Sequence, residues 1–147
     1  MERFKKLPPK SFSDALSVVL KDVKASSILT PIKLVCADQD RTREWHVALE
    51  NGSYWGGGAP LEDSEEGALL SVAEAVQDLF AEVLWKVWPQ CAIHDLGCHA
   101  YARFEAESPI TSAHVDDDFA YWFCSGDDGH ILGRVGHLEV TSVKQLE

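Results

Sequence analysis

Two short stretches, WPQCAIHDLGCHAY (88–101) and WFCSGDDGH (122–130), hold three of the four cysteines and three of the six histidines. Cys91-x2-His94 places two ligand-type side chains on one tight turn, and Cys124-x5-His130 places two more on another. If the turns face each other, four soft or borderline donors converge, the set that tetrahedral Zn²⁺ accepts. This is the strongest constraint on the fold, because one ion would tie together turns that lie far apart in sequence. Pro89 and Gly97 flank the first turn, and Gly126 and Gly129 relax the second. The second knuckle is longer than the usual two- to four-residue spacing, and neighbours compete for the role. His99 substitutes for His94 if the first loop folds back, and Cys98 substitutes for either partner. A C-x2-C pair at each knuckle would be more specific. Cys36 belongs with core residues: it lies inside an apolar run, and cysteine is among the most buried residue types.

Apolar periodicity supplies the rest of the frame. Phe12, Ala15, Leu16, Val19, Leu20 and Val23 recur at helical spacing and predict a helix over 11–23. Ile32, Leu34 and Cys36 fall on one face, and Trp45, Val47 and Leu49 alternate with His46, Ala48 and Glu50, which predicts two strands turned at QDRT (39–42). Asn51-Gly52 signals a hairpin into a short third strand over 53–56, since a type I′ turn needs positive φ at both central residues. The expected body is therefore a helix, a three-stranded antiparallel meander, and a second helix. That second helix is the clearest in the chain. Asp63 and Glu66 suit a capping box, and Leu69, Val72, Ala73, Val76, Phe80, Val83, Leu84 and Val87 form one stripe of about six turns. Pro89 stops it near Trp88.

Strands are expected around 100–105, over 119–124 and from His130 onward. The fold class is α+β, with one antiparallel sheet, the long helix laid across it, and a β-rich tail stapled by zinc. The natural division is a helix–meander–helix body over 1–88 and a zinc-ribbon-like tail over 89–145, joined in one compact unit. The closing Leu146-Glu147 reads as an appended junction and is set aside.

Charge narrows the function classes. The net charge is −11, but residues 1–24 carry six basic and three acidic side chains, leaving −14 on the rest. Such a field repels phosphate backbones, so nucleic acid is disfavoured and a basic protein is the favoured partner. Asp116, Asp117, Asp118, Asp127 and Asp128 are candidates for steering that partner, although solvated acidic loops are common without one. Trp55, Tyr54 and Trp122 are candidate aromatic anchors, with Trp55 in a glycine-rich loop the most exposed. Trp45, Trp85 and Trp122 equally suit the core. No apolar run is long enough to span a membrane and the first residues lack a signal-peptide pattern, so a cytoplasmic location with reduced thiols is expected.

Catalytic signatures are scarce. There is no H-E-x-x-H, no G-x-S-x-G, and no deaminase H-x-E with P-C-x-x-C. The expected function is non-enzymatic, an acidic adaptor, inhibitor or immunity-type module. The alternative is a zinc hydrolase in which three ligands leave an open position and Asp127 or Asp128 acts as general base.

The segments WPQCAIH, WFC and RVGHL resemble the tails of small uncharacterised bacterial proteins of W-P-x-C-x-x-H…W-x-C form. The resemblance covers roughly the last 60 residues and the helix before them. It implies a bacterial, zinc-ribbon-like tail and no known activity. Ala92 stands where such tails carry proline.

Overall fold

The computed structural model describes residues 10–39, 42–54 and 64–146, with side chains 37–44 outside that description. The chain is α+β. Its elements are α1 (Lys10–Ala25), β1 (Ile32–Gln39), β2 (Thr42–Leu49), α2 (Glu65–Glu82), β3 (His99–Ala102), β4 (Ala120–Cys124) and β5 (His130–Arg134), followed by a short 3₁₀ turn over Val140–Ser142.

The strands form two antiparallel sheets rather than the single sheet expected, β1-β2 and β3-β4-β5. α2 contacts both and so takes the central place. The meander shrinks to a two-stranded ribbon, paired from Ile32↔Leu49 to Gln39↔Thr42. Of the expected third strand only residues 53 and 54 are described, and they contribute one bridge, Ala48↔Tyr54. A tight turn forms here, but not as the expected type I′: Gly52 sits at φ 92° and donates to Leu49 O at 2.8 Å, which makes Glu50 and Asn51 the central pair, and Asn51 is not at positive φ. Trp55 lies outside the described residues.

α2 starts at a different cap. Ser64 Oγ accepts from Gly67 N at 2.9 Å, and Asp63, the expected cap, lies outside the described residues. The helix buries Ala68, Val72, Ala73, Val76, Leu79 and Phe80 against α1, whose buried face is Phe12, Ala15, Leu16, Val19 and Val23. It ends at Glu82, not near Trp88. The reason is packing: a continuous helix would carry residue 88 about 12 Å along the axis from Phe80. Instead the two rings meet edge to face at 5.4 Å. The chain reverses through Trp85 at φ 57°, with Lys86 N donating to Phe80 O at 2.8 Å. Trp85, expected in the core, is thereby 89% exposed.

The main core joins the two ends of the chain. Phe80, Trp88 and Trp122 stack in series, the two tryptophans 5.2 Å apart. Each indole N–H finds an acceptor on α1 or just beyond it, as buried polar groups require. Trp88 Nε1 donates to Ser26 Oγ at 3.0 Å, and Trp122 Nε1 donates to Asp22 Oδ2 at 2.7 Å. The buried Asp22 carboxylate also accepts from the backbone of Gly136 and Leu138. Burial pushes its carboxyl above the usual range, outweighing those three donors. Trp122 is fully buried, so it cannot serve as a surface anchor. Leu146, set aside from sequence, packs against this core and donates its N–H to Ser26 O at 3.0 Å.

Candidate metal centre

The first knuckle is a tight antiparallel loop built on the bridge Gln90↔Gly97. Cys91 N donates to Leu96 O at 2.9 Å, and Asp95 N returns to Cys91 O at 3.0 Å. Asp95 takes the left-handed conformation (φ 57°), where Asp is one of the few tolerated residues. The C-terminal segment braces the loop from outside: Cys91 bridges Val143, and Lys144 Nζ meets Asp95 Oδ1 at 3.1 Å.

The second knuckle closes the β4–β5 hairpin. The β4–β5 register shifts by one residue between Trp122 and Phe123. A one-residue shift moves a side chain to the opposite face of its partner strand. Here it sets His130 directly across from Cys124. Gly126 N then donates to Cys124 Sγ at 3.3 Å. Gly126 is required by close approach, since a Cβ there would lie 2.4 Å from the His94 ring.

The four expected side chains come together. Cys91 Sγ lies 3.6 Å from both His94 Nδ1 and His130 Nε2, Cys124 Sγ lies 3.5 Å from His94 Nδ1, and the two ring nitrogens are 3.2 Å apart. All four donor atoms fall within 4.8 Å of one another. Zinc bonds of about 2.3 Å to sulfur and about 2.05 Å to nitrogen, set at tetrahedral angles, imply edges of about 3.6 Å for S···N and about 3.3 Å for N···N. The three S···N separations of 3.5–3.6 Å and the N···N separation of 3.2 Å match both. Cys91 and Cys124 are buried, while the histidines are partly exposed, so the cluster can hold a metal ion with its sulfur side inward.

Local electrostatics favour the ligating form at Cys91 and the protonated form at Cys124 and His94. Burial raises the Cys91 thiol, but backbone N–H groups of His94 and Ile93 and the rings of His94 and His130 outweigh it, leaving the thiol lowered to about 6. Burial dominates at Cys124 and raises it. Asp127 raises His94, with Cys91 adding to the effect.

Other candidates fall elsewhere. His99 sits on β3 opposite Phe123 and tilts against Tyr101, away from the four. Cys98 is buried beside the ligand thiols but outside the four-atom group, and burial followed by the neighbouring cysteines pushes it to about 12. Cys36 packs partly buried against the main core.

Asp127, considered from sequence as a base or a steering charge, has a different contact. His94 Nε2 and Asp127 Oδ2 are 2.8 Å apart. With Nδ1 turned toward the cluster, Nε2 carries the proton and donates to the carboxylate. That carboxylate–histidine arrangement fixes tautomer and ring orientation in metal sites. The spacing of Asp127, three residues past Cys124 in a glycine-containing turn, was the available signal. Among the remaining acids, Asp117 accepts from Phe119 N and Tyr121 Oη, Asp118 accepts from Arg103 Nε at 3.2 Å, and Asp116 and Asp128 are exposed.

No described helix is long and apolar enough to cross a membrane. Comparisons with protein-family models, with curated proteins and with solved structures find no match.

Proposed function

We propose that Cys91, His94, Cys124 and His130 hold a structural zinc ion, and that the chain is a non-enzymatic, acidic interaction module for a basic protein. The observation that carries the zinc reading is the set of edges at 3.2–3.6 Å, which two sulfurs and two ring nitrogens adopt around one tetrahedral ion. Four protein donors complete such a shell. A hydrolase needs an open position, which a shell of four protein donors does not offer, and of its two candidate bases Asp127 is engaged by His94 while Asp128 is exposed. The ion would fix the β4–β5 turn and with it the acidic tip at Asp127 and Asp128. Exposed Asp116, Asp118 and Asp128 supply steering charge, and the exposed Trp85 replaces Trp122 as the described aromatic anchor.

Metal content and thiol titration test the first half. The expected result is one zinc per chain, with two further thiols becoming reactive when a strong chelator is added. A metal-free protein whose thiols react alike with and without chelator would end the zinc reading. Pull-down at low salt tests the second half. A basic partner should be retained and then lost on raising salt or on replacing Asp116, Asp118 and Asp128 together by Asn. Retention that ignores both changes removes the electrostatic argument.

A further inference from the structure

Three of the four cysteines form one buried cluster, yet only two of them belong to the metal set. The third, Cys98, is fully buried and just precedes β3. β3 and β4 pair His99↔Phe123, Ala100↔Trp122, Tyr101↔Tyr121 and Ala102↔Ala120. The same register carried one residue further sets Cys98 directly across from Cys124. Positions 98, 100, 122 and 124 then share the inward face, since side chains alternate along a strand. Ala100 and Trp122, the flanking pair, are half-buried and buried respectively, in agreement. Directly opposed strand residues hold their Cβ atoms about 4.5–5.5 Å apart and their Cα atoms about 4.5–5.5 Å apart. Disulfides take Cα separations of about 4.4–6.8 Å, so the pair can bond after a small closure. Cys98 also borders a cleft of about 400 Å³ between α2 and β3, lined by Gln77, Asp78, His99 and Tyr101.

We propose that Cys98 and Cys124 form a reversible disulfide in the presence of a peroxide, and that this bond withdraws Cys124 from the metal set. The inference rests on the zinc reading above. Cys124, a thiolate while it ligates the proposed ion, attacks one peroxide oxygen; the S–O bond forms, the O–O bond breaks, and the departing hydroxide takes a proton from solvent to become water. The Cys98 sulfur then attacks the sulfenic sulfur; the S–S bond forms, the S–O bond breaks, and the Cys98 thiol proton leaves with the hydroxide as a second water. The two sulfurs lose two electrons and the two peroxide oxygens gain them. Three donors remain, and the ion is released or loosened. Burial makes both sulfurs slower than an exposed thiolate, so the switch answers sustained oxidation rather than brief exposure.

The test treats zinc-loaded full chain with hydrogen peroxide, follows release with a chromogenic chelator, and maps disulfides by mass spectrometry after alkylation. The expected result is zinc release in step with a Cys98–Cys124 linkage, both reversed by dithiothreitol and added zinc. Cys98→Ala, first checked to bind one zinc, should release it several-fold more slowly and without a reversible step. A Cys36→Ala control should behave as wild type. Release at an unchanged rate in Cys98→Ala, or a Cys91–Cys124 linkage in wild type, overturns the switch and leaves the zinc reading standing. So does a wild-type map in which Cys98 stays alkylatable while zinc is lost, a result independent of how any variant folds. A chain that binds no zinc overturns both.

Discussion

The two ends of this molecule are secured by different means. Around Phe80, Trp88 and Trp122, stability is spread over some twenty buried side chains drawn from α1, α2, β2 and the tail. Around Cys91 and Cys124, the second buried cluster holds only three cysteines, with Leu132 packed against it. Apolar burial at about 25 cal/mol per Å² tolerates the loss of any one contributor, because each supplies only a fraction. A four-donor site does not, because each donor is a quarter of the shell and the folding energy of such a site is the ion's binding energy. With the proposed ion bound, the knuckles would concentrate in four atoms what the helical core distributes.

The most severe way to break that contrast is to take the ion away. A strong chelator, or Cys124→Ser, should cost at least about 4 kcal/mol, or roughly 12 °C in melting temperature. Near-ultraviolet signals from the tail aromatics should collapse while the far-ultraviolet helix signal of α1 and α2 persists. Cys36→Ser, in the partly buried ribbon, should cost only about 1 kcal/mol of packing and hydroxyl burial. Equal, small effects of the two changes would mean that the knuckles are held like the rest of the core. Acidification should mimic the chelator, because protons compete with the ion for thiolates and imidazoles.

Asp22 sharpens the comparison from the opposite side, as a polar hub within the apolar core. Asp22→Asn keeps the volume but turns an NH₂ toward N–H donors that now meet an acceptor. The expected loss at neutral pH is about 2–4 kcal/mol by denaturant unfolding. The pH dependence has a definite sign. A carboxyl raised in the folded state binds its proton more tightly there than in the unfolded chain, so its contribution to stability is present at low pH and lost as pH rises through the folded value. The advantage of wild type over Asp22→Asn should thus grow as pH falls toward about 4, the unfolded carboxylate value. A difference that shrinks on acidification would show that the three donors, not burial, set the proton affinity.

Asp127→Asn tests how far the concentration in four atoms extends outward. The carboxylate is 87% exposed, so its charge is screened and its main effect is to hold the His94 ring. Zinc affinity should fall about tenfold, the lower end for such partners, as read by competition with a chromogenic chelator. Unchanged affinity would confine the site to its four donors.

How much of this was legible follows from range. The four-residue cluster could be read because each pair is local, with a turn residue and a short spacing carrying the signal. α1 and the buried stripe of α2 could be read because a helix repeats every 3.6 residues. The end of α2 could not be read: the stripe through Val83, Leu84 and Val87 continues, and only the demand that Trp88 reach Phe80 breaks it. The split into two sheets was hidden for the same reason, since strand partners across a long separation leave no periodic trace. Asp22 was a missed signal rather than an absent one. It falls three residues after Val19 on the buried face of α1, where a charge needs partners, and they come from Trp122, Gly136 and Leu138.

The smallest effect is expected at Trp85, and it separates stability from surface function. Its ring is 89% exposed and sits where the chain turns left-handed after α2. A residue with so little buried area contributes little to folding, so Trp85→Ala should change unfolding free energy by no more than about 0.5 kcal/mol. Trp85→Gly should be neutral or slightly stabilising through its backbone, because glycine adopts positive φ without strain. If Trp85 anchors a basic partner, the same Trp85→Ala change should weaken that complex several-fold while leaving zinc content and melting temperature alone. A fall in melting temperature matching that of a core tryptophan would mean that the ring stabilises the fold and is no free surface anchor. Unaltered binding with unaltered stability would shift the anchor role to the remaining exposed apolar side chains near the first knuckle, Val87, Ile93 and Leu96.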